Sequence, residues 1–462
     1  MSWPNLDPFR AFARTILFVQ LALTGCASPS WDASWPESRP LGRDIPTIRP
    51  SREPGIGERA YSTPERHSGA LTLRAALARA LERNPDLAAY SWEVRAAEAR
   101  TLQAGLRPNP EVSVEVEDVA GSGEFRSFNE AQTTLQLSQL IETAGRRLKR
   151  QRVARFGQDL AGWDYETVRM DVFAETARRF VTVLAAQEQL ALADELLRLA
   201  REALKTVELR VREGASSPVE RTRAEVTVSA AQVDRDQAEA DLEAARIELA
   251  ALWAAQSPGF AFAEGDLYEA SSPPSVESLL RVADQNPDLA RWTTELALRD
   301  AAVDLEDARR IPNFSVGIGP RYASGLGDSA LVAGVSIPLP VFDRNQGQAL
   351  ATRYERARAL HERHAAETRV RSAILVVHKR LAAAYMRVTT IASESLPGAE
   401  AAYTQTLEAY QRGLFRYLDA LDAQRTLFAI RASYIEALES YHRAVADLER
   451  LTGEPLRVTA QP

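Results

Sequence analysis

One pattern is written twice in this chain. Asn84-Pro85-Asp86-Leu87-Ala88 returns about two hundred residues later as Asn286-Pro287-Asp288-Leu289-Ala290, and Pro110 with Ser113-Val114 returns as Pro312 with Ser315-Val316. Farther along, Gly214 and Glu220 map to Gly413 and Asp419 at nearly the same offset, and Leu249 and Leu252 map to Leu448 and Leu451. Self-similarity on that scale means two equivalent structural units rather than two unrelated domains, so any fold proposed must be built from one unit used twice.

The material for a large ordered structure is present: 462 residues, 45% hydrophobic and 26% charged, a balance too apolar for disorder. The formal charge of −7 and the lack of a basic stretch that could follow a phosphate backbone argue against nucleic acid as a partner. Near the N-terminus Arg10 and Arg14 precede an apolar run from Thr15 to Leu23. That run is too short to cross a bilayer and matches the core of a secretory signal, so export is expected. It ends in Leu23-Thr24-Gly25-Cys26, which resembles the lipobox of bacterial lipoproteins. The resemblance implies cleavage before Cys26, the only cysteine, and a lipid anchor of diacylglycerol and an N-acyl chain on it. A buried free thiol is the alternative. Ala27, where inner-membrane lipoproteins usually carry aspartate, implies transfer to the outer membrane. Residues 1–25 are thus expected as signal peptide, and 26–70, rich in Pro, Ser and Arg without helical or strand period, as an extended tether.

Within the first unit, residues 71–260, Leu73 to about Gly105 carries apolar residues at helical spacing and is expected as one helix stopped by Pro108 and Pro110. From Glu111 the period changes to two. Val112, Val114 and Val116 alternate with Ser113, Glu115 and Glu117, and after Ala120-Gly121-Ser122-Gly123 a second alternating stretch follows, giving a hairpin with strands at about 111–119 and 131–140. A helical period then runs from about Gly145 to Glu213, a length of roughly 100 Å that only a coiled-coil setting supports. It ends in a tip turn at about 213–218, where Ser217 and Glu220 read as a capping box and Pro218 opens a third helix running to about Trp253.

After a linker at 261–274, the second unit, 275–455, repeats the order with strands at about 313–322 and 330–338 and a tip turn at about 412–416, before a tail at 456–462. Its long helix is expected to start at about Gln346 and run unbroken to that turn, and its last helix to reach Leu451. The expected class is mainly α with a small β part.

Four amphipathic strands on an exported chain point to a membrane barrel, yet four cannot close, since the smallest membrane barrels have about eight strands and an open edge in hydrocarbon leaves backbone groups unpaired. Several chains must share one barrel: two would give about eight strands and a filled interior, three about twelve strands and room for a lumen. Residues from about Leu71 to Gly453 resemble the TolC-like outer membrane efflux proteins, most nearly their cobalt, zinc and cadmium resistance branch. The resemblance rests on Asn84-Pro85-Asp86-Leu87, Pro108-Asn109-Pro110-Glu111, Leu137-Ser138-Gln139 with Ile141-Glu142, and the specific run Val335 to Gly347 (VSIPLPVFDRNQG). One departure is Thr143-Ala144-Gly145-Arg146-Arg147, where the branch usually has a Gly-Gly pair. The resemblance implies a homotrimer with a twelve-stranded barrel on a long periplasmic helical barrel. It also implies a passive conduit for divalent metal cations, working with a periplasmic adaptor protein and an inner-membrane RND-type transporter.

By the same resemblance Asp419 and Asp422 occupy the periplasmic aperture, Glu220, Tyr410 and Arg416 its gate contacts, and the turns at Gly214 and Gly413 the tips that meet the adaptor. Arg416 lies one residue later than the family's tip arginine, and position 415 is Phe415. Local readings stand beside these roles: acids near a helix start complement its dipole, and Glu220 is equally accounted for by its capping box. His361 and His364, one turn apart, have no third ligand near in sequence, and no catalytic motif is present, so neither a metal site nor an enzyme is expected. A drug-efflux or type I secretion conduit of the same fold is the alternative function. A lipid-anchored periplasmic coiled-coil adaptor is a third, but it would carry a single hairpin flanked by Gly-rich β-domains.

Overall fold

The computed structural model describes residues 40–48 and 69–456. The first unit runs β1 (Ala70–Thr72), α1 (Leu73–Arg83), α2 (Pro85–Gly105), β2 (Glu111–Glu117), β3 (Gln132–Ile141), α3 (Arg146–Arg212) and α4 (Pro218–Ala251). The second runs β4 (Phe262–Glu264), α5 (Val276–Val282), α6 (Pro287–Ala308), β5 (Phe314–Ala323), β6 (Asp328–Ser336), α7 (Gln346–Thr390), α8 (Leu396–Gln411) and α9 (Tyr417–Thr452). No described helix is long and apolar enough to cross a membrane.

The helix expected from Leu73 to Gly105 is two helices broken at Asn84, whose backbone is extended at φ −64°, ψ 126°. The cause is local: a residue before proline is driven out of the α region, and the asparagine side chain then caps the new helix by accepting from Leu87 N–H at 3.0 Å. Asn286 does the same for α6, accepting from Asp288 N–H at 2.7 Å. Each asparagine is buried and also donates its amide to the last turn of its own unit, Asn84 to Leu252 O at 2.9 Å and Asn286 to Leu451 O at 2.8 Å. The repeated motif is therefore a joint that ties the start of each unit to its end.

The four long strands form one antiparallel sheet in the order β2-β3-β5-β6, so the two hairpins are joined through β3 and β5. The strand ends fall within two residues of those expected. The register aligns Val114 with Leu135, Leu137 with Ile318 and Ile318 with Ala333, which makes one face largely apolar, interrupted by Thr133, Gln139 and Ser329. The other face is polar and small. There Gly319 is obligatory, because a Cβ would stand 1.8 Å from the carbonyl oxygen of Leu135. In the single chain β2 and β6 are free edges, and every residue of β2 is exposed.

Below the sheet, α3 packs against α2, α4, α6 and α9, and α9 packs against α3, α7 and α8, so the two units share one helical layer. As expected, α3 is a single helix of 67 residues. Its counterpart is not: the helix expected to run unbroken from Gln346 passes through a π-helical turn at Ile391–Ser395 before α8. Pro397 explains the break, since it has no N–H to donate and its ring displaces the preceding turn.

Two further expectations are corrected. The linker at 261–274 contains β4, which pairs in parallel with β1 and buries Leu71 against Ala263; three-residue strands carry too little pattern to be read. Within the tether, residues 40–48 pack on the bundle rather than hang free. Leu41 is 2% exposed and donates its N–H to Gly453 O at 3.1 Å, and its carbonyl accepts from the Arg169 guanidinium. Arg169 is itself paired with Glu166 at 2.6 Å, both 1% exposed. An ion pair so deeply buried persists only when its remaining donors are satisfied, and Leu41 O supplies that acceptor.

Candidate functional site

Both long hairpins reverse in the same way. The chain enters the left-handed region at Gly214 (φ +77°) and Gly413 (φ +76°), and around neither would a Cβ meet a neighbour, so the glycines serve backbone conformation rather than space. Ala215 N–H returns to Arg210 O at 2.8 Å and Leu414 N–H to Ala409 O at 2.9 Å, closing equivalent C-terminal caps.

The helices that follow start differently. Ser217 Oγ accepts from Val219 N–H at 3.3 Å while Glu220 N–H bonds to Ser217 O at 2.9 Å, and the Glu220 carboxylate does not complete the expected capping box. Its counterpart does. Asp419 accepts the Arg416 backbone N–H at 2.9 Å, and the Arg416 guanidinium stands 3.6 Å from the same carboxylate. Cap geometry depends on the rotamer chosen at the tip, which spacing alone does not fix.

Tyr410 is the centre of the tip. It is 6% exposed in a cluster with Val207, Ala224, Tyr417 and Leu421, so it packs the second hairpin onto the first within one chain. The Arg210 guanidinium lies 4.8 Å from the Tyr410 ring centre and donates to Tyr410 O at 3.2 Å, while the Tyr410 and Tyr417 rings lie 6.0 Å apart. By geometry the buried Tyr410 hydroxyl has no hydrogen-bond partner among the described residues. Burial pushes the Tyr410 phenol above its usual range; the nearby Glu220 carboxylate adds to that rise and Arg210 opposes it. The structure thus brings Glu220 and Tyr410 to one place and leaves Arg416 outside it, with 79% of its side chain exposed and bound to Asp419.

Asp419 and Asp422 share a wall of an open groove of about 810 Å³ that also includes Ala399, Thr406, Phe415 and Arg425. One Asp419 oxygen is engaged at the cap. The Asp422 carboxylate is exposed and has no hydrogen bond or ion pair among the described residues. Two carboxylates one helical turn apart, one of them uncommitted, make a surface that attracts cations by Coulomb forces.

His361 and His364 are exposed on α7, and His364 faces Glu367 at 3.7 Å. Among the described residues no group of three or more His, Cys, Asp or Glu stands together as a metal site would require. Cys26 lies outside the described residues. Sequence reading missed Arg210 and Tyr417 at the tip, and it missed Arg321, which crosses the polar sheet face to Glu117 at 3.1 Å, with Thr134 and Gln132 also accepting from it. Hydropathy alternation marked that face as polar, but only the β3–β5 register shows which groups meet.

The chain thus joins a four-stranded antiparallel sheet with one largely apolar face to long helical hairpins of roughly 100 Å that reverse at Gly214 and Gly413. The chain belongs to the Outer membrane efflux protein family, which matches residues 76–255 and 279–454. It is 34% identical over 390 residues to the cobalt-zinc-cadmium resistance protein CzcC of Cupriavidus metallidurans, covering 84% of this chain and 92% of that one. It is 25% identical over 444 residues to the pyoverdine export outer membrane protein OpmQ of Pseudomonas putida, covering 89% and 91%. The crystal structures of CusC share the fold at a TM-score of 0.70 and 18% identity, over 88% of this chain and 99% of that one.

Proposed function

We propose that three copies of this chain form an outer membrane channel that passively conducts divalent heavy-metal cations out of a tripartite efflux system. The observation that carries the reading is the sheet: two free edges, β2 and β6, flank a largely apolar face, and an edge in hydrocarbon must pair with another chain. Three copies close about twelve strands and leave a lumen lined by the polar face. The long hairpins continue that wall through the periplasm, and an adaptor engages the tips at Gly214 and Gly413, linking the channel to an inner-membrane RND transporter. Cys26, lipidated by diacylglycerol and an N-acyl chain, adds a second anchor.

At the periplasmic mouth, Asp419 and Asp422 of each copy form a cation-attracting constriction, with Glu220, Tyr410 and Arg416 as contacts that hold it shut. Identity to CzcC supports the metal cargo, and the full-length match to OpmQ favours a second reading, the same conduit with a siderophore cargo. The test is chemical cross-linking of the purified full-length protein in detergent with conductance in planar bilayers. A cross-linked trimer that conducts is expected, and a stable non-conducting monomer would overturn the reading. Deleting the gene should raise sensitivity to zinc, cobalt or cadmium if metal is the cargo, and leave it unchanged if siderophore is.

A further inference from the structure

We infer that the junction between sheet and helices carries a binding site for anionic glycerophospholipid, seated in a cleft between the end of α2 and the start of α3. This rests on the outer-membrane channel reading, which sets the apolar sheet face in hydrocarbon. The cleft has a volume of about 490 Å³ and is lined by Arg100, Arg107 and Arg150 with Gln103, Leu106 and Pro108, and no carboxylate lines it.

The three arginines are not equivalent. Arg150 is structural: it donates to Ala104 O at 2.9 Å and Leu106 O at 3.1 Å and pairs with Glu142 at 2.6 Å, so it takes up the carbonyls that would otherwise repel an anion at the end of α2. Arg100 is paired with Glu93 at 2.6 Å but remains 65% exposed. Arg107 is exposed and has no ion pair or hydrogen bond among the described residues. Among the described residues it is the cation of the cleft left unpaired. Arg147, in the first turn of α3, is likewise without a partner among the described residues.

From Pro108 the chain passes directly into β2, where Val112 and Val114 are 68% and 65% exposed, so a phosphate held at Arg107 has apolar surface beginning within a few residues for its acyl chains. Leu106 in the cleft and Leu148 in the first turn of α3 are 49% and 63% exposed, adding apolar surface at the junction. Around the strand–helix junctions of the second unit, Leu339 and Phe342 are 79% and 91% exposed, and Arg310 and Arg344 have no ion pair among the described residues. Unpaired arginines interleaved with exposed apolar side chains at the end of an apolar sheet match the phosphodiester and upper acyl region of an anionic lipid in the periplasmic leaflet. A soluble anion would need the charges but not the apolar collar.

The test uses the full-length protein in nanodiscs of mixed phosphatidylglycerol and phosphatidylcholine, with the lipids retained on the released complex counted by native mass spectrometry. Phosphatidylglycerol should be enriched over its bulk share, and Arg107→Gln with Arg147→Gln should lower that enrichment by about five-fold per charge removed. Arg107→Lys should keep it. No enrichment in the parent, full enrichment in the double variant, or complete displacement by millimolar inorganic phosphate would overturn the lipid site. Conductance of the same preparation separates the two readings: a conducting channel without enrichment sinks only this inference, and a preparation that does not conduct sinks the channel itself.

Discussion

The carboxylate of Asp419 accepts the backbone N–H of Arg416 at 2.9 Å, which makes one of the two aperture candidates a helix cap as well. Asp422, one turn on, carries no such duty. The pair is therefore functionally asymmetric although both acids face one groove, and the two roles separate by mutation. Asp419→Ala should cost about 0.5–2 kcal/mol through the lost cap, whereas Asp422→Ala should leave stability within about 0.5 kcal/mol. Thermal unfolding of the two purified variants measures this. Equal losses would show that the cap carries no stability.

At the other side of the tip, the buried Tyr410 hydroxyl has no hydrogen-bond partner among the described residues while its ring packs against Arg210 and Tyr417. Tyr410→Phe removes an unsatisfied polar atom and keeps the packing, so stability should be unchanged or rise by up to about 1 kcal/mol. Tyr410→Ala should lose about 3 kcal/mol or more. If a neighbouring copy supplies a partner to the hydroxyl in the assembled channel, Tyr410→Phe should instead raise basal conductance, and single-channel recording distinguishes the two outcomes.

The repeated asparagine joints should behave alike. Asn84→Ala and Asn286→Ala each remove a helix cap and leave the carbonyl of Leu252 or Leu451 without its donor, at a cost of about 2–4 kcal/mol apiece. The two sites are far apart in sequence and share no partner, so the double variant should show nearly additive loss in denaturant unfolding. Strong non-additivity would mean that the two units do not close independently.

How far the fold could be read depended on how far each signal reached along the chain. The internal repeat, the four strands and the tip glycines were legible because each is fixed by local chemistry: period-two alternation at Val112 to Val116, or a backbone that only glycine adopts cheaply at Gly214. The break at Asn84 was legible in principle, since proline follows it, but the helical period continues across it and masked it. What stayed hidden was docking. Arg169 reaching Leu41, Arg321 reaching Glu117 and Arg210 stacking on Tyr410 join segments 128, 204 and 200 residues apart, and no spacing rule connects charges over such distances. At the candidate site the aspartate pair was legible from its one-turn spacing, while the cap that occupies Asp419 depended on a rotamer.

The last prediction concerns Glu449, in the final turns of α9. Burial pushes its carboxyl up to about 7, opposed only by the Leu456 N–H, which donates to it at 3.0 Å. An acid whose folded-state pKa lies above its unfolded value binds protons more tightly when folded. Its protonated form therefore favours the native state, and stability falls as pH rises from the unfolded value of about 4.5 through about 7. The loss over that window is at most about 3 kcal/mol, less what partial exposure screens. Glu449→Gln keeps an acceptor for Leu456 N–H without the charge, so it should flatten this part of the pH profile and be more stable than the parent at pH 8 while matching it at pH 4. Chemical denaturation at half-unit pH steps provides the measurement, and a parent and variant whose profiles run parallel from pH 4 to 8 would show that the Glu449 carboxyl titrates alike in the folded and the unfolded chain.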